Sequence, residues 1–276
     1  MIDVHCHLNL HKFDNDYDAV IQQAFTDGVT AIINTGTSIP SSRKAVQIAH
    51  LYDKLYAIVG IHPHHADKTD KEFEGELQTD WLKKLSDLAK DPKVIGIGEI
   101  GMDYFSYKSN GIVEKKLQEA AFRSQIELSI EHKLPLQIHN RLAWDDTLGI
   151  LREYRNQLQD PPGMFHCFSG SVPFLKRVLE AGFYVGFDGN ITYKGIPPGE
   201  DTSLVDLVKY APLERIVTET DSPFLTPIPY RGSRNIPSYV IIVGEEIARI
   251  KAISFEKVQE QTIKNARSIF HLDTLS

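Results

Sequence analysis

Eight short runs rich in β-branched and other apolar residues recur along the chain, at 1–7, 29–35, 55–61, 94–99, 134–139, 163–168, 183–187 and 215–221. Between and after them lie longer stretches with helical spacing of apolar residues, at 16–27, 40–51, 77–90, 114–132, 143–155, 172–181, 202–209, 239–251 and 255–270. Strict alternation of this kind is the mark of βαβ units and a parallel sheet. The run Lys93-Val94-Ile95-Gly96-Ile97-Gly98 carries no polar alternation, as expected for a strand buried on both faces by helices. Eight such units predict an α/β fold, a closed (β/α)8 barrel of the TIM type, as one domain over residues 1–276. An open doubly wound sheet is the competing architecture, but no glycine-rich phosphate loop follows the first run. In a barrel, reactive side chains gather where the strands end.

Composition narrows what such a barrel can do. The 276 residues are 42% apolar, enough for a sizeable core. Thirty basic against 37 acidic residues give a formal charge of −7, which opposes strong sequence-independent attraction to phosphate polymers. A nucleic acid must therefore be gripped locally. Two cysteines, Cys6 and Cys167, make no disulfide framework. A reducing, cytoplasmic setting is expected, with both thiols as small core residues turned away from their histidine neighbours. No run approaches the about 18 apolar residues of a membrane span. Neither a membrane nor an obligate protein partner is expected.

The ends of the runs carry the chemistry. His5 and His7 stand two apart on a strand and so project from one face, a chelating arrangement for a borderline divalent ion. The fourth run ends in Glu99, the fifth in His139, the sixth holds His166 and the eighth ends in Asp221. A bare carboxylate inside Ile97-Gly98-Glu99-Ile100-Gly101 is costly to bury and calls for a cation or a dense set of donors. Four histidines and two carboxylates exceed the needs of one tetrahedral ion, which points to two divalent ions sharing a carboxylate. Such a pair activates water, so hydrolysis is the expected reaction, with Asp221 placed to accept the water's proton. Histidine and carboxylate ligands suit zinc, magnesium, manganese or nickel alike.

The stretches IDVHCHL, GIHPHH, GEIGMDY, LPLQIHNR, FHCFSG, GNITYK and TETDSPFLTPIPYRGSRN, in that order from residue 2 to 235, resemble the TatD family of metal-dependent deoxyribonucleases. The resemblance implies a first metal held by His5, His7 and Asp221, a second by His139 and His166, and Glu99 between them. It implies phosphodiester hydrolysis of DNA in the manner of a 3′–5′ exonuclease, at single-stranded or frayed ends. The alternative is an ester or amide outside DNA, such as the aminoacyl ester on tRNA or a small molecule. Met102 and Asn140 replace the expected Leu and Ser, which touches packing and rim contacts only.

In that family the loop holding His62, His64 and His65 borders the metal centre. His62 is the candidate for contacting a phosphate or orienting the leaving group, with His64 as a further substrate contact. Arg141 and the loop arginines Arg231 and Arg234 are candidates for clamping phosphate oxygens. Glu219, two residues before Asp221, can orient a ligand or pair with a base inside the barrel. Tyr104, Phe105 and Tyr107 are positioned either to stack on a base or to pack a lid. Ser222 lacks a nucleophile elbow and is not assigned a role in catalysis.

Overall fold

The computed structural model describes residues 1–272 apart from 70, 75, 78, 109 and 110. Eight parallel strands form one sheet in strictly sequential order. They are β1 (Ile2–Cys6), β2 (Ala31–Thr35), β3 (Leu55–Val59), β4 (Val94–Asp103), β5 (Leu136–Arg141), β6 (Gly163–Phe165), β7 (Tyr184–Phe187) and β8 (Ile216–Thr218). Helices α1 (Tyr17–Thr26), α2 (Ile39–Ala49), α3 (Trp81–Ala89), α4 (Lys115–His132), α5 (Trp144–Tyr154), α6 (Val172–Glu180) and α7 (Leu204–Tyr210) fall between the strands, and α8 (Val240–Lys251) and α9 (Phe255–Phe270) follow them.

The first and last strands meet and nearly close the barrel. At the end of β1 and past the end of β8, Cys6 bridges Ser222 in parallel register, the His7 N–H donates to the Ser222 carbonyl at 2.7 Å, and the Asp221 N–H donates to the His5 carbonyl at 2.9 Å. Deeper in this seam Asp3, fully buried, accepts from the Thr220 N–H (2.9 Å) and hydroxyl (2.7 Å). Burial pushes the Asp3 carboxyl up to about 8 despite these bonds. Helix α9 brings Ala266, Ile269 and Phe270 into an apolar cluster with Ile2, Val4, Ile58, Met164 and Val217. The last helix thus covers strand surface, as its apolar spacing requires.

Several boundaries differ from the sequence expectation, three of them with consequences for neighbouring residues. Strand β4 does not stop at Glu99 but continues to Asp103, pairing Gly101 with His139 and Asp103 with Arg141. Glycine keeps the strand going here: Gly101 has φ +143°, and a Cβ there would lie 1.9 Å from the His139 carbonyl oxygen. Strand β8 ends at Thr218, and Asp221 stands beyond it in a left-handed turn (φ 54°). The helix expected over 77–90 begins at Trp81. Glu76–Leu77 instead pairs with Glu72–Phe73 in a short hairpin, and residue 78 lies outside the described residues.

Substituting Gly101→Ala forces a Cβ into the β5 backbone, which cannot swing aside like a side chain. The expected cost exceeds about 3 kcal/mol of stability, read as a lowered denaturant midpoint at unchanged slope.

Candidate metal centre

Six ligand-type side chains from five strands and their extensions converge at one end of the barrel. His5 lies on β1 and His7 one residue past it, Glu99 on β4, His139 on β5, His166 one residue past β6, and Asp221 in the turn after β8. His5, His7, Glu99 and His166 are all buried.

The hydrogen bonds behind the imidazoles decide which nitrogen faces inward. His5 Nδ1 lies 2.8 Å from Gln137 Oε1, and the Gln137 amide is fixed because its Nε2 donates to the Val4 carbonyl. His7 Nδ1 lies 2.8 Å from the Thr35 carbonyl. Both oxygens can only accept, so both Nδ1 atoms carry the proton and, in the neutral rings, both Nε2 atoms present lone pairs. Those lone pairs point at each other across 3.1 Å, and each Nε2 lies 3.3–3.7 Å from Asp221 Oδ1 and Glu99 Oε2. Donors on a tetrahedral ion with bonds near 2.1 Å are separated by about 3.4 Å. Four acceptors at that separation fit a divalent cation, and no proton arrangement satisfies them all.

A second donor set shares Glu99. Its Oε1 lies 2.8 Å from His139 Nδ1, 2.9 Å from His166 Nε2 and 3.3 Å from His62 Nε2. His139 Nδ1 and His166 Nε2 are 3.3 Å apart. Behind His139, its Nε2 donates to Asp103 Oδ2 at 3.0 Å, which turns Nδ1 toward Glu99. Burial alone would raise both carboxyls, but His62 and His166 hold Glu99 well below the usual range, and hydrogen bonds from His139 and His64 do the same for Asp103. Likewise His5 and His7 outweigh burial and hold the Asp221 carboxyl below the usual range.

His62 has the opposite tautomer. Its Nδ1 accepts the His64 backbone N–H (3.1 Å), so the neutral ring carries its proton on Nε2, facing Glu99 and the cavity. Burial holds its pKa down to about 3, which keeps the ring neutral. Although it lies within ligand distance of Glu99 and His139, this makes His62 a hydrogen-bond donor at the centre rather than a third imidazole ligand.

Glu219 and Cys167 support His166. Glu219, fully buried, accepts the Cys167 backbone N–H on Oε1, and that same oxygen lies 3.8 Å from His166 Nδ1. That imidazole is the basic group it faces, and burial pushes its carboxyl up. Gly186 makes room for it: a Cβ there would come within 2.6 Å of the carboxylate. Cys167 is corrected by the structure. It does not turn away into the core but lines the cavity at a left-handed residue (φ 44°), where its sulfur accepts from Asn190. Cys6 is buried, its thiol directed at the Ile33 carbonyl.

The donors open into a cavity of about 840 Å³. Arg141 and Arg231 line it, the first stacked over Phe105 (3.9 Å) and bonded to the Tyr107 hydroxyl (2.7 Å), the second over Tyr193 (4.0 Å). His64 also lines it, but its Nε2 is turned to Asp103 Oδ2 at 3.0 Å. Arg234 is not brought to the cavity. Its guanidinium grips both oxygens of Asp16 and the Lys12 carbonyl. Tyr104 also stands apart, donating to Asp146 beneath Lys115, whereas Tyr107 lines the cavity and donates to Asp103.

Sequence reasoning missed Asp103 and Gln137. Gln137 had a signal: a polar residue two before His139 on an apolar strand shares its face. Asp103 had one only if β4 were known to run past its glycines. The Thr35 carbonyl leaves no trace in residue type.

A parallel barrel with these donors at its strand ends defines a metal-dependent hydrolase. The chain matches the TatD related DNase family over residues 2–271 and belongs to it. It is 37% identical over 274 residues to a Bacillus subtilis protein named uncharacterized metal-dependent hydrolase YabD, covering 99% of this chain and 100% of that one. It is 30% identical over 274 residues, with 98% of each chain covered, to the 3′-5′ ssDNA/RNA exonuclease TatD of Enterobacter lignolyticus. Among solved structures, the TatD homologue YjjV of Escherichia coli K12 superposes with a TM-score of 0.85 at 26% identity, over 99% of this chain and 98% of that one.

Two outcomes follow from the donor geometry. Replacing Asp103 by Ala removes the acceptor that orients His139, and the affinity for an ion taken by His139 and His166 should drop about 10- to 100-fold, measured by metal titration with elemental analysis. In the metal-free protein, the bonds of His139 to Asp103 and Glu99 outweigh burial and lift its pKa to about 10. An ion taking Nδ1 therefore displaces a proton below that pH. Affinity at this position should fall about tenfold per pH unit as pH is lowered through neutrality and level off above pH 10, seen as proton release in calorimetry with buffers of different ionisation enthalpy.

Proposed function

We propose that the chain is a single-domain, cytoplasmic, two-metal phosphodiesterase that trims the ends of DNA. The observation that carries this is Glu99, whose two oxygens face separate donor sets, Oε2 toward His5 and His7 and Oε1 toward His139 and His166. His5, His7 and Asp221 would hold one ion and His139 and His166 the other, with Glu99 shared by the two donor sets. Ions so held supply Lewis-acid polarisation of a phosphoryl oxygen and a lowered pKa for water. Zinc, magnesium, manganese and nickel all suit the donors.

The protein's own groups do the rest. Asp221 Oδ1, held ionised by His5 and His7, accepts the attacking water's proton. The His62 Nε2–H donates to a phosphoryl or departing oxygen, and because the ring stays neutral it does so without competing for a ligand position. Arg141 and Arg231 add positive charge at the cavity wall of an otherwise acidic protein, which suits an end held locally over a long duplex bound along its length. The two unpaired cysteines accord with a reducing compartment. The exonuclease name of the Enterobacter relative supports the choice of nucleic acid over another ester.

End-labelled single-stranded oligonucleotides incubated with metal-loaded protein should yield a ladder shortening from the 3′ end. Chelator should abolish it, and Glu99→Gln should lower kcat by at least about a hundredfold with the melting profile retained. Turnover of aminoacyl or amide substrates with none on DNA would replace this reading.

A further inference from the structure

Among the described residues, nine large hydrophobic side chains are exposed, and four of them, Ile196 (54%), Phe224 (43%), Ile228 (44%) and Tyr230 (48%), lie on the two loops that follow β7 and β8. These loops form the wall of the metal cavity, since Ile196, Phe224 and Arg231 line it. Exposed apolar surface gathered beside a catalytic cavity is a binding surface more often than an accident of folding. Its composition says for what. Phe224 has Lys12 Nζ 5.2 Å from its ring centre, and Arg231 sits 4.0 Å over Tyr193. Tyr230 is stacked on Tyr239, ring centres 4.7 Å apart and planes within 6°, so one face is braced and the rest is left to solvent.

Fixed aromatic faces with basic side chains beside them are how proteins hold unpaired nucleic acid without reading its sequence. A second copy of this chain would want a broader apolar patch without cations at its centre, and a folded acidic protein would not need the stacking faces. We propose that Phe224 and Tyr230, with Lys12 and Arg231 alongside, form a track for the single strand beyond the unit being cleaved. Bases stack on the two rings, and the phosphates lie against the two cations. The inference rests on the nuclease reading and adds to it a length requirement: a short fragment fills the metal cavity alone, whereas a longer strand also engages the track.

The test uses metal-loaded protein and fluorescent oligothymidylates with uncleavable phosphorothioate linkages, from dinucleotide to decamer. Affinity should climb with length and then level off. Tyr230→Ala and Phe224→Ala should each weaken decamer binding roughly tenfold with the thermal melt in place, and Tyr230→Ala, outside the cavity lining, should affect the dinucleotide far less. Decamers with abasic spacers inside the terminal unit should lose the same gain. Affinity independent of length, or a gain that survives the variants or the abasic spacers, overturns the track while unmodified oligonucleotides are still degraded. A Tyr230-dependent dimer in sedimentation overturns it in favour of a second copy. If no oligonucleotide of any length is bound or cut, the nuclease reading has failed and the track fails with it.

Discussion

The centre depends first on acceptors that hold the back of three imidazoles, His5, His7 and His139. A histidine ring has two nitrogens and, when neutral, one proton, so fixing the proton at one side fixes a lone pair at the other. Here the fixing groups are a backbone carbonyl (Thr35), an amide oxygen clamped by its own nitrogen (Gln137) and a carboxylate (Asp103). Each sits on the sheet or at its edge, where neighbouring strands leave little room to move. The alternative, lone pairs facing one another in a buried space with nothing between them, is unfavourable. The fold accepts that arrangement because it is compatible with a cation and with little else.

His62 sharpens the point, because the same ring type is set the other way by a single backbone N–H from His64. The neutral rings of His5 and His7 present bare nitrogens and His62 presents a proton, all within one cluster. Chemistry that needs both a Lewis acid and a hydrogen-bond donor at the same phosphoryl group is thereby divided among side chains of one kind. Glu219 works at greater remove: it steadies the turn at Cys167, and through it His166, which has no acceptor in contact with its Nδ1.

The barrel and the convergence of donors were legible in the sequence because both follow from periodicity. Eight alternations specify eight strands, and a strand end specifies a place in space. His5, His7, Glu99, His139, His166 and Asp221 could be picked out for that reason alone. What escaped was set by tertiary contact. Arg234 looks like Arg231, yet Asp16 from a distant part of the chain draws it away. Asp103 is hidden because Gly101 lets a strand continue where glycine usually ends one. Cys167 was assigned to the core from its apolar neighbours, and a left-handed residue turns it into the cavity instead.

The seam between β1 and β8 has a temporal consequence. His5 and His7 belong to the first strand, and their carboxylate neighbour Asp221 comes more than two hundred residues later in synthesis. Until then the two rings have no strand beside them on that flank, and Asp3 has neither Thr220 donor. Metal capture at this position is therefore a late event, reserved for chains whose final strand has docked, and a nascent or truncated polypeptide holds only fragments of a chelator.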